Sequence, residues 1–147
     1  MIALTETHKE MFHQDGFAIV EGVLEPETIK AARARFPLLF RGEFETGLQP
    51  DEWNWREGRD SNTLTRQICN GWKADRTIAA IVLREDIGRA CSELRGWPGA
   101  RINQDNVIWK PPGSKPFIAR PGWTITFMAS CNNRVHTFNS NVAVRVA

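Results

Sequence analysis

The chain opens with a polar run that turns apolar at Met11 and Phe12. Thr7 and Glu10 stand at capping-box spacing, so a short helix is expected to start there, and Gly16 after Asp15 suits a left-handed stop. Phe17-Ala18-Ile19-Val20 reads as a strand, broken by Gly22. A helix is predicted over Pro26–Phe36, with Pro26 as first helical residue between Glu25 and Glu27. Ile29, Ala32 and Phe36 fall near one face of it, and Pro37 is expected to end it.

Between Arg41 and Asn62 the periodicity disappears. Gly42, Gly47, Pro50 and Gly58 punctuate the stretch, and Trp53 and Trp55 sit among charges. Tryptophans seldom stay in solvent, so an ordered loop is expected in preference to a linker. Leu64–Cys69 reads as a short strand. Asp75–Leu94 reads as helical, with Ile78, Ile81, Val82, Ile87, Cys91 and Leu94 building apolar faces. Gly88 marks a bend or join, and Gly96 a stop. After the Pro98-Gly99 turn, Arg101–Lys110 is extended, with Val107 and Trp109 on one side, until Pro111-Pro112-Gly113 ends it. Beyond that turn, Ile125, Phe127, Val135 and the run Val142-Ala143-Val144 offer replacement strands, expected to pack poorly.

The order helix, strand, helix, long loop, helices, strand implies an α+β fold, with helices packed on mostly antiparallel β-structure. There are too few strands for a closed barrel. No internal repeat is present. The chain has 147 residues, enough for one core and not comfortably for two.

Charge adds one piece of information. The net charge is only +2, but every Asp and Glu lies at or before Asp105. Past Pro116 the charged residues are Arg120, Arg134 and Arg145, too scattered for a nucleic-acid patch. Cys69, Cys91 and Cys131 form neither a CxxC pair nor zinc spacing, so they read as reduced thiols, at least two of them packing residues. No apolar run is long enough for a bilayer, and the start of the chain carries no signal-peptide core. An intracellular, cytoplasmic location is the corresponding expectation.

Three local patterns point the same way. The first is Phe12-His13-Gln14-Asp15-Gly16-Phe17 through Gly22-Val23-Leu24, followed by Pro26-Glu27. The second is Thr65-Arg66-Gln67-Ile68-Cys69-Asn70-Gly71-Trp72. The third, and most specific, is Trp109-Lys110-Pro111-Pro112-Gly113 at the end of the 101–110 strand. Together they resemble the phytanoyl-CoA dioxygenase-like family over residues 1–116, leaving 117–147 as a divergent tail. The resemblance implies a partial double-stranded β-helix, of jelly-roll or cupin type, with N-terminal and central helices packed on it.

Members of that family are Fe(II) and 2-oxoglutarate dependent oxygenases that hydroxylate a small organic substrate. Their iron is held by a His-x-Asp and a distant His, leaving open positions for 2-oxoglutarate and oxygen. Carried over residue by residue, the resemblance implies two co-substrate contacts. Asn106, four residues before Lys110, would line the pocket, and Arg66 would meet a carboxylate of 2-oxoglutarate. The bland alternatives are a locally bonded strand residue for Asn106 and an ion-paired surface residue for Arg66.

The iron ligands do not carry over. The expected His and Asp would fall near Ala119 to Gly122, where the chain reads Ala-Arg-Pro-Gly. The distal His and the late arginine belong to a region this chain does not contain. His13-Gln14-Asp15 spells the motif by coincidence at a helix end, and His136 has no carboxylate near it in sequence. No catalytic residue and no metal ligand is therefore assigned. Lys110 and Lys115 could meet a substrate phosphate, although a solvated turn is preferred.

Three readings follow: an inherited oxygenase, inactive as this truncated chain; a non-catalytic fragment or interaction module, with self-association through open strand edges; and, least favoured, an anion or nucleic-acid binder using the arginine tail.

Overall fold

The computed structural model describes residues 1–112 and the backbone of two further strands, Gly122–Ser130 and Ser140–Val146. The chain forms helices α1 (Glu6–Asp15) and α2 (Pro26–Arg41), then strands β1 (Glu52–Trp53) and β2 (Arg66–Cys69). A 3-10 turn at Gly71–Lys73 leads to α3 (Arg76–Val82), α4 (Glu85–Arg95) and strand β3 (Arg101–Lys110). Strands β4 (Gly122–Ser130) and β5 (Ser140–Val146) complete one antiparallel sheet in the order β1-β2-β3-β4-β5. The architecture is α+β, as the order of elements implied.

Register sorts the residues onto two faces. Trp53, Ile68, Val107, Ile125 and Val144 occupy one row across the five strands. The next row holds Glu52, Cys69, Asn106, Thr126 and Ala143. Successive residues of a strand point to opposite faces, so in β1, β2 and β3 the two rows face opposite ways. Ile68 and Val107 are fully buried together with Phe36, Leu39, Phe40, Ile78 and Ile81, so in β2 and β3 the first row faces the helices.

Helix α2 supplies Ala32, Phe36, Leu39 and Phe40 to that core, at the spacing of one helical face. It does not stop before Pro37, as expected. It runs on to Arg41 and closes on Gly42 in the left-handed region, φ 84°. An internal proline costs about 3 kcal/mol. Burying Leu39 and Phe40 returns about 1.5–3 kcal/mol each, so the helix persists through it.

Three other boundaries differ from expectation. The first helix starts earlier, capped by Thr5: Thr5 Oγ1 accepts from His8 N at 3.3 Å and His8 Nδ1 accepts from Thr5 N at 3.1 Å. Phe17–Val20 forms no strand, because a β-prone segment needs a pairing partner, and none stands beside it among the described residues. The long helical stretch divides at Leu83–Arg84, not at Gly88, which lies inside α4. Arg84 explains the break. Its guanidinium donates to Val23 O at 2.6 Å and forks onto both oxygens of Asp86, at 2.9 and 2.6 Å. Gly88 instead permits close approach of Ala100, whose carbonyl oxygen lies 3.4 Å from where a Cβ would sit.

The loop from Arg41 to Asn62 is ordered by its tryptophans, as expected. Trp53 Nε1 donates to Phe40 O at 3.2 Å, and Trp55 Nε1 to Ser61 O at 3.1 Å. The Arg56 guanidinium lies 3.3 Å from the Trp53 ring centre. Gly16 and Gly96 cap α1 and α4 in left-handed conformation, as the sequence implied. Val135 and Lys115 lie outside the described residues. Among the described residues no helix is long and apolar enough to cross a membrane.

Candidate functional site

The site expected from the sequence centres on Asn106, in the middle strand of the sheet. Asn106 Oδ1 accepts from Gln67 Nε2 at 2.8 Å, a side-chain bond across the β2–β3 pair. On the same face Gln104 Nε2 lies 2.8 Å from Cys69 Sγ. The Cys69 thiol is held above its usual pKa, chiefly by burial and next by the charge of Glu52. This face therefore carries a short polar ladder of Gln67, Gln104 and Asn106, turned away from the helices. Amides of this kind can bind a carboxylate or carbonyl, and supply no acid, base or nucleophile.

Arg66 is not part of it. Arg66 pairs with Trp109 in register, which places it on the helix side with Ile68 and Val107. Its guanidinium lies 3.6 Å from the Trp55 ring centre, and Nη2 donates to Asn62 Oδ1 at 3.1 Å. Nε is buried without a hydrogen-bond partner among the described residues. Burial lowers the pKa of Arg66, with the nearby charge of Glu57 acting the other way. Two residues expected to share one ligand thus lie on opposite faces of the sheet.

The strongest polar constellation was not anticipated. Asp105 is fully buried on the helix side. Its carboxylate accepts from Gly71 N at 3.0 Å and from Trp72 N at 3.1 Å, capping the 3-10 turn. Asn70, at φ 55°, donates its backbone N–H to Asp105 O at 2.8 Å, and its Oδ1 accepts from Asp105 N at 3.2 Å. Asn70 Nδ2 and Lys73 Nζ both reach Asp51, at 2.6 Å each. Burial pushes the Asp105 carboxyl up to about 6, against the lowering effect of the Trp72 and Gly71 N–H groups. Two signals were present in the sequence: the Asn70-Gly71 turn pair, and an acid at the same strand parity as Val107 and Trp109.

A second buried acid is also structural. Asp75 caps α3 through Oδ1, accepting from Ile78 N at 3.0 Å, while Oδ2 takes Arg35 Nε at 2.5 Å. Lys110 is nearly buried, which corrects the expected solvated turn.

Among the described residues the donor set does not fit ferrous iron. Asp105, the last carboxylate in the sequence, has both oxygens committed to backbone N–H groups on the helix side. His13 and Asp15 ride on α1, where residues two apart point in widely different directions. The His8 ring is used in the helix cap. Among the described residues no three His, Cys, Asp or Glu side chains gather as a metal site. Positions 119–121 and His136 lie outside the described residues. Cys69 and Cys91 are buried free thiols, consistent with packing roles, and burial pushes Cys91 up to about 11. Compared with protein-family patterns, characterised proteins and solved structures, the chain shows no significant match.

Proposed function

We propose that the chain is a phytanoyl-CoA dioxygenase-like body, a partial double-stranded β-helix, that does not act as an oxygenase in the form this sequence specifies. The observation that carries this reading is the placement of Asn106. It stands on the middle strand, just before the Lys110-Pro111-Pro112 turn, on the sheet face opposite the helices. A pocket-lining residue of such a fold would need that face. An antiparallel sheet backed by helices on one side agrees with the same reading.

The loss of catalysis follows from the donor set. Fe(II) in such a site needs an imidazole and a carboxylate on one strand side, with a second imidazole to complete three ligands. Past Asp105 this sequence offers one histidine, His136, and no acid. Arg66, the expected partner for 2-oxoglutarate, is on the wrong face to share a ligand with Asn106. No oxygenation step is therefore assigned to these residues.

Anaerobic titration of the purified chain with Fe(II) and 2-oxoglutarate tests the proposal. The expected result is no visible charge-transfer band and no consumption of 2-oxoglutarate on admitting oxygen. A band with turnover of the keto acid would overturn it.

A further inference from the structure

The segment Phe17–Val20 carries the composition of a strand and is not paired as one. Phe17 is 54% exposed and Ile19 63% exposed, both large apolar side chains. No backbone hydrogen bond joins residues 17–22 to any described residue. Unpaired N–H and C=O groups beside exposed aromatic and β-branched side chains are a template for strand addition.

Among the described strands the sheet has one long edge to receive such a strand. At one end stands β1, only two residues long and bearing the Glu52 charge. At the other end stands β5, seven residues long, whose only neighbour among the described strands is β4. The sequence of β5, Ser-Asn-Val-Ala-Val-Arg-Val, alternates toward valine at every second place from Val142. Within one molecule the Phe17–Val20 segment does not join this edge.

We propose that Phe17–Val20 of one molecule adds as a sixth strand to the β5 edge of a second copy, and that the second copy returns the same contact. The exchange is self-complementary, so it closes as a two-fold dimer and leaves no free edge at β5. It draws on main-chain pairing plus burial of Phe17 and Ile19. It is independent of whether the chain binds iron or 2-oxoglutarate.

The test compares the full chain with the double variant F17D/I19D by sedimentation over a range of concentrations. Amide hydrogen exchange is measured on both. Both side chains are exposed, so the variant should keep its fold, which a thermal melt matching the parent verifies. The expected result is a parent that moves from one copy to two as concentration rises, with amides of 17–20 and 140–146 becoming protected in the dimer. The variant should remain single, with both segments unprotected. Three results would overturn the proposal: a parent that stays single at every concentration, a variant that dimerises as readily as the parent, or protection of 17–20 in the single copy. The last would place the strand partner within the same molecule.

Discussion

Asp105 accepts the backbone N–H of Gly71 across 34 positions of sequence, at 3.0 Å and out of reach of solvent. That bond, with its companion from Trp72, fixes the turn that joins β2 to α3 onto the middle of the sheet. The approach is close on both sides. A Cβ on Gly71 would lie 3.0 Å from Val107 Cγ2 and 3.4 Å from Asp105 Oδ2.

Asp105 should make stability depend on pH in an unusual direction for a carboxylate. Its folded pKa, pushed up to about 6, lies above the ordinary value of 3.8, so the folded chain binds the proton more tightly than the unfolded one. The resulting stabilisation is complete below the unfolded value and is lost as pH rises through about 6. The loss is on the order of 2–3 kcal/mol, from a shift of about 2 pKa units at about 1.4 kcal/mol each. Urea midpoints between pH 4 and 8 should show this fall in the parent. In Asp105→Asn, which mimics the protonated group, that component of the slope should vanish.

Gly42 should resist replacement. It ends α2 at φ 84°, and a Cβ there would overlap the Trp53 ring, with Cζ2 only 2.9 Å away. Gly42→Ala is expected to cost about 1–3 kcal/mol from overpacking, beyond the roughly 1–2 kcal/mol for a left-handed residue with a side chain. Denaturation followed by tryptophan fluorescence reads both the lost stability and the displaced indole. An unchanged midpoint would contradict the packing at Trp53.

The Arg35–Asp75 pair ties α2 to the start of α3. Arg35→Ala leaves a fully buried carboxylate with the Ile78 N–H as its remaining hydrogen bond among the described residues. Removing one partner of such a pair costs about 3 kcal/mol or more. Adding Asp75→Asn in the same chain should recover part of that loss, because the side chain then carries no charge and can still cap α3. Equal destabilisation by the single and double variants would show that the charge is not the cause.

Arg66 should behave as a packing residue. Arg66→Lys keeps the charge and loses the planar stack on Trp55, at an expected cost of about 0.5–2 kcal/mol. The change should appear in the urea midpoint and in Trp55 emission. Asn106→Ala, on the other face, should leave that emission unchanged.

These cases show which features could be read from residues alone. The helix stops at Gly16 and Gly96 and the long strand at Arg101–Lys110 were legible because each depends on local backbone chemistry. Pro37 was misleading because its penalty is local, whereas the burial that outweighs it comes from β-strands and helices distant in sequence. Phe17–Val20 has the composition of a strand, but strand formation belongs to a pair of segments. The break at Arg84 depended on Val23, 61 positions away. For the candidate site the obstacle was register. Arg66 pairs with Trp109, not with a residue of the same parity as Asn106, and that single fact separates the two expected contacts.

The grip on Gly71 also bears on how the molecule ages. An asparagine followed by glycine is prone to lose its amide when the glycine nitrogen attacks the side-chain carbonyl and closes a five-membered imide. Here that nitrogen donates to Asp105 while Asp51 and the Asp105 N–H hold the Asn70 amide. Folded protein stored for weeks should yield little isoaspartate at position 70 on peptide mapping, and chain held in denaturant should yield it readily.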